Sequence, residues 1–190
     1  MSLRVDLLVG SGIAAACAAG LLFILARWAL YHPSKYPVGD WDAQRIIGAS
    51  DAWIETSDGV KIHGWWMQRD GSPWATLFLH GNGDNIPRYA PHVQNIATAG
   101  SSVLILDYRG YGKNSGSPRE QGLNRDSEAD FIYLLGKGYR PVQIIIHGQS
   151  LGSAVAIDLA SRRPCAGLIL EAQHSGDRRH RLPGSAPGIL

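Results

Sequence analysis

The chain has 190 residues, 45% hydrophobic and 18% charged. This balance excludes a disordered polar chain and suits one domain with its own core plus an extra segment. The formal net charge of +2, with no stripe of lysine or arginine, excludes a nucleic-acid binder.

The first element is an apolar run, "LLVGSGIAAACAAGLLFILA", Leu7 to Ala26, twenty residues without a charge. As a helix it would reach about 30 Å, the thickness of a bilayer core. Asp6 and Arg27 bracket it, and Trp28 and Tyr31 suit the interface. The run continues well past the Ala14-Ala15-Ala16 cleavage-like site, which favours a retained single-pass anchor over a cleaved leader. The expectation is therefore a transmembrane helix or signal-anchor over 7–31, with the side of the membrane open. Residues 32–45 are rich in proline, glycine and charge and read as a linker or a loosely packed approach to the domain.

From residue 46 the pattern changes. Ala52–Thr56 and Lys61–Gln68 flank Ser57-Asp58-Gly59 and predict a hairpin. Four short apolar runs follow: Ala75–His80, Val103–Asp107, Val142–His147 and Leu168–Glu171. Each reads as a strand buried on both faces. Between them, apolar residues recur at helical spacing: Tyr89, Val93, Ile96 and Ala97; then Ala129, Ile132, Tyr133 and Gly136; then Val155, Ala156, Leu159 and Ala160. Gly100, Gly138 and Pro164 end these segments. Strands alternating with helices over short links predict an α/β domain over 46–172, a mostly parallel sheet with helices on both faces. Residues 173–190 have no period and are rich in Arg, Pro, Gly and Ser, so an irregular tail is expected.

Three motifs lie on this frame. "GQSLG", Gly148 to Gly152, directly follows a buried strand and opens a helix. The bare pattern is weak, but that setting is the one a nucleophile elbow requires, with Ser150 as the nucleophile. The competing reading is an ordinary strand-to-helix turn with Ser150 as a cap. The Leu151 N–H, at the helix N-terminus, is placed to stabilise an oxyanion. "HGNGDN", His80 to Asn85, follows an earlier strand and can aim the Asn82 N–H at the same point. "DYRGYGKNSGSP", Asp107 to Pro118, fails as a phosphate loop, since Asp107 and Asn114 stand where glycine and Ser/Thr are needed. It reads as a structural loop near the site, with Tyr108 or Arg109 as candidate substrate contacts. The two cysteines, Cys17 and Cys165, sit in unlike contexts, so no disulfide is expected, and no CxxC or HxxxH spacing marks a metal.

Taken together, HGN, DYRGYG and GQSLG resemble the α/β-hydrolase superfamily, in its membrane-anchored serine-hydrolase branch. The resemblance covers about two thirds of the chain, Ala52 to Glu171. It implies acyl transfer on an ester, thioester or amide through Ser150, with Asn82 and Leu151 N–H groups as oxyanion donors. It implies no cofactor and no metal, and a small-molecule, lipid-like acyl or peptide substrate. In this family the acid and then the histidine follow on later strands. The tail offers His174, Asp177 and His180 but no sheet elements to position them. The expectation is thus the N-terminal portion of the fold, truncated or frameshifted after Ala172, and a weak or inactive chain. A non-catalytic, membrane-tethered scaffold is the alternative.

Overall fold

A computed structural model describes residues 17–22 and 30–172. The greater part of the expected anchor and the whole of the 173–190 tail lie outside the described residues. Among the described residues no helix is long and apolar enough to cross a membrane.

The elements run α1 (Ala43–Ile46), β1 (Ser50–Glu55), β2 (Lys61–Met67), β3 (Ala75–Leu79), α2 (Ala90–Thr98), β4 (Ser102–Leu106), α3 (Glu120–Gly136), β5 (Ile144–Gln149), α4 (Leu151–Arg162) and β6 (Gly167–Glu171). Single 3-10 turns precede α2 and β5. The strands form one sheet in the order β1-β2-β4-β3-β5-β6. The expected hairpin is present: β1 and β2 pair antiparallel with Glu55 opposite Lys61. β2 also pairs antiparallel with β4, and every other pair is parallel.

Alternation along the strands splits the core in two. Leu77, Leu79, Leu104, Leu106 and Ile146 point to one face and pack with Leu123, Phe131 and Leu134 of α3 and with Val155, Ala156 and Leu159 of α4. Phe78, Val103, Ile105 and Trp65 point to the other and pack with Ala90, Val93 and Ala97 of α2. Helices therefore cover both faces, as the strand runs required.

Two expectations need correction. The buried face of α3 is only partly the expected one: Ala129 is buried and Tyr133 packs half-buried against the core, but Ile132 is 52% exposed and Gly136 is exposed, and the other inward residues include Leu123, Ser127, Asp130, Phe131 and Leu134. Five apolar side chains in succession, Phe131 to Leu135 with Ile132 and Tyr133 among them, leave the phase of the helix ambiguous, and buried Asp126 and Asp130 break the hydropathy signal. Nor is 32–45 a free linker. Gly112 N–H donates to the Ser34 carbonyl and Tyr36 N–H to the Gly112 carbonyl, while Trp41 packs edge-on against Trp65.

Candidate functional site

β3 and β5 are neighbouring parallel strands near the middle of the sheet, with Leu79 opposite Gly148. Their carboxyl ends open side by side, where ligands bind in open α/β sheets. The chain leaves β5 through Ser150, the N-cap of α4, at φ 51° and ψ −114°. Ser150 is the one non-glycine residue at positive φ among the described residues. A side chain there costs on the order of 1–3 kcal/mol and persists only where the surroundings enforce it.

The flanking glycines do not supply the unusual backbone of this turn. Neither adopts positive φ; both clear space. A Cβ on Gly148 would stand 2.4 Å from the Gly152 carbonyl oxygen and 2.7 Å from Ala156 Cβ. A Cβ on Gly152 would stand 1.9 Å from the Leu79 carbonyl oxygen. The glycines thus bring α4 hard against the ends of β3 and β5, and that approach forces the turn onto Ser150. Ser150 N–H donates to the Glu171 carbonyl at 2.8 Å, fixing the turn to β6. This predicts that Ser150→Gly is more stable than Ser150→Ala by about 1 kcal/mol, because both lose the hydroxyl but only glycine relieves the backbone. The urea midpoints of the two variants check it.

The loop after β3 lies beside this turn. A Cβ on Gly81 would be 3.4 Å from Ser150 Cβ, and Gly81 N–H donates to the Tyr89 hydroxyl at 3.2 Å. Asn82, the next residue, was expected to contribute only its N–H. Its side chain also acts as a clasp. Asn82 Nδ2 donates to the Leu30 carbonyl at 2.7 Å, and Asn82 Oδ1 accepts from the His32 N–H at 2.9 Å and from the Tyr111 hydroxyl at 2.6 Å. The HGN and DYRGYG motifs and the approach segment therefore meet at one side chain. Leu151 is the first residue of α4, a position whose N–H has no acceptor within the helix.

Tyr108 and Arg109 are not substrate contacts. Both are buried. Tyr108 donates to the His80 carbonyl, and burial pushes its hydroxyl pKa well up. The Arg109 guanidinium is held by Asp126 and Asp58, at 2.7 Å and 2.8 Å. Those carboxylates raise its pKa further. The histidines flanking the motifs are engaged too. His80 Nδ1 lies 2.7 Å from the Gly81 carbonyl oxygen, and its Nε2 is 3.4 Å from Asp107 Oδ1, both side chains fully buried. Burial raises the Asp107 pKa, with His80 opposing. Tyr89, between this pair and Gly81, is pushed up to about 12, mainly by burial. His174, Asp177 and His180 lie outside the described residues.

A family model described as Hydrolase_4, serine aminopeptidase S33, matches residues 72–180. The chain belongs to this α/β-hydrolase family. An uncharacterized protein of Mycobacterium tuberculosis is 38% identical over 167 residues, 84% of this chain and 59% of that protein. The human alpha/beta hydrolase domain-containing protein 17B is 29% identical over 163 residues, 83% of this chain and 56% of its own length. Among solved structures, an esterase of Pyrococcus furiosus superposes with a TM-score of 0.62 at 27% identity, covering 75% of this chain and 57% of the esterase. An α/β hydrolase of Vibrio vulnificus superposes with a TM-score of 0.57 at 25% identity, over 72% of this chain and 59% of its own. This α/β hydrolase thus spans somewhat more than half the length of the relatives it matches.

Proposed function

We propose that this α/β hydrolase is a serine hydrolase that transfers an acyl group through Ser150. The observation that carries the reading is the positive-φ turn at Ser150, on the N-terminus of α4 and beside the HGN loop. Ser150 Oγ attacks the carbonyl carbon of an ester, thioester or amide. The oxygen that becomes negative receives the Asn82 and Leu151 N–H groups, aided by the positive end of α4. Collapse expels the alcohol, thiol or amine, and water then releases the acyl group. His80 is held by the Gly81 carbonyl oxygen and faces Asp107, so it is not the general base. The esterase among the structural neighbours favours an ester. The apolar run 7–26, as an anchor, would hold the site at a membrane surface and favour lipid-like acyl groups.

Covalent labelling with a fluorophosphonate probe tests this. Labelling is expected in the unaltered chain and absent in Ser150→Ala, and ester turnover measured alongside tests the expectation of weak activity. A folded chain with no Ser150-dependent labelling would favour the non-catalytic scaffold instead. The exposed side chains of Leu168, Ile169 and Leu170 on β6 are the observation that suits that second reading.

A further inference from the structure

Period-two alternation places His147 and Gln149 of β5 on the same face of the sheet, the one covered by α2. Glu171 lies opposite Gln149 on the neighbouring strand β6. Above them α2 presents His92, whose tilted ring has its centroid 4.9 Å from that of Phe78, the ring that His147 meets edge-on at a centroid distance of 5.0 Å. Three separate elements thus bring two imidazoles and one carboxylate to one point.

We infer that His92, His147 and Glu171 form a binding site for a divalent first-row transition metal of the zinc class. One donor atom from each residue lies within 4.8 Å of the other two. His147 Nε2 is 3.0 Å from Glu171 Oε1, and His92 Nε2 is 3.7 Å from the same oxygen. Donors bound to zinc at about 2.1 Å stand about 3.4 Å apart along a tetrahedral edge, so these separations bracket the required one. Two nitrogens and one oxygen form a borderline donor set that suits zinc rather than calcium or magnesium.

A second observation points the same way. The His147 side chain is 7% exposed, and its Nε2 has no hydrogen-bond partner in spite of the nearby carboxylate. A buried, unpaired imidazole nitrogen is costly unless something occupies its lone pair. Glu171 Oε2 accepts from Gln149 Nε2 at 3.2 Å, the outer hydrogen bond that orients a carboxylate ligand. Asp84, Arg88, His92 and Glu171 line a cavity of about 810 Å³ on this side of the sheet. The site borders Ser150 through the Glu171 carbonyl but uses none of its chemistry.

Titration of the full chain with cobalt(II), followed by zinc(II), tests this. One equivalent of cobalt should give the visible bands of tetrahedral coordination, and zinc should displace it. His92→Ala, on a partly exposed helix face, should weaken binding at least tenfold with an unchanged far-UV spectrum, and Glu171→Gln should do the same. His174→Ala/His180→Ala should leave binding intact. The proposal is overturned by wild-type affinity in His92→Ala, by loss of binding in the tail variant alone, or by an unaltered chain that binds no metal.

Discussion

Replacing Gly152 with alanine is expected to unfold the domain. The added methyl would lie 1.9 Å from the Leu79 carbonyl oxygen, 2.5 Å from the Leu79 carbonyl carbon and 2.7 Å from the His80 oxygen. All three are backbone atoms, so no side-chain rotamer can relieve the clash. The helix would have to withdraw from β3, taking Val155, Ala156 and Leu159 with it out of the larger core cluster. Overpacking costs about 1–3 kcal/mol where side chains can adjust and more where they cannot. A loss above about 3 kcal/mol is a large share of the stability of a typical domain. Gly136→Ala is the control: it has open space around it at the end of α3 and should be neutral or mildly stabilising. Denaturant unfolding and soluble yield of the two variants check the prediction, and equal stability of both would contradict it.

Arg109→Met should cost about 3–5 kcal/mol near neutral pH, the usual penalty for stranding one partner of a buried ion pair. Arg109 donates to Asp126 from its backbone N–H, its Nε and its Nη2, and to Asp58 from both Nη atoms. Asp126 is almost fully buried, so removal of the guanidinium leaves its carboxylate without a charge partner. Burial already raises the Asp126 pKa, and Arg109 is the principal opposing influence. Without it the folded-state pKa rises further above the unfolded value. The native state then holds a proton that the unfolded state releases. The Arg109→Met chain should therefore lose stability as pH rises from the ordinary carboxylate range toward the raised folded pKa, and regain it on acidification. Adding Asp126→Asn should remove most of that pH dependence. Urea midpoints across pH for the single and double variants check this, and an Arg109→Met chain with no added pH dependence would contradict it.

Much of this was legible in the sequence because it depends on local pattern. The apolar runs at Ala75 and Val103 fell on strands buried on both faces, while the run from Val142 enters its strand only at Ile144 and the run from Leu168 forms an exposed edge strand. The Asp58-Gly59 turn set the hairpin, and the order of HGN and GQSLG put both loops at the carboxyl edge. What escaped depends on distant pairs. Nothing near Asn82 in sequence announces that its side chain holds Leu30, His32 and Tyr111, partners 29 to 52 positions away. Asp126 and Asp130 look like surface residues until Arg109 is seen against the first, and that misled the phase of α3. The glycines of GQSLG serve close approach, which their spacing does not announce, and the unusual backbone belongs to Ser150. His92, His147 and Glu171 have no common spacing, because three different elements deliver them.

The clasp at Asn82 also has a mechanical meaning. A pull on the chain ahead of residue 30 reaches the Asn82 bonds to Leu30 and His32 first, then the pairing of Ser34 and Tyr36 with Gly112. The loop beside Ser150 would therefore yield before the fold does, so a tether at the N-terminus would strain the site long before it threatened the core.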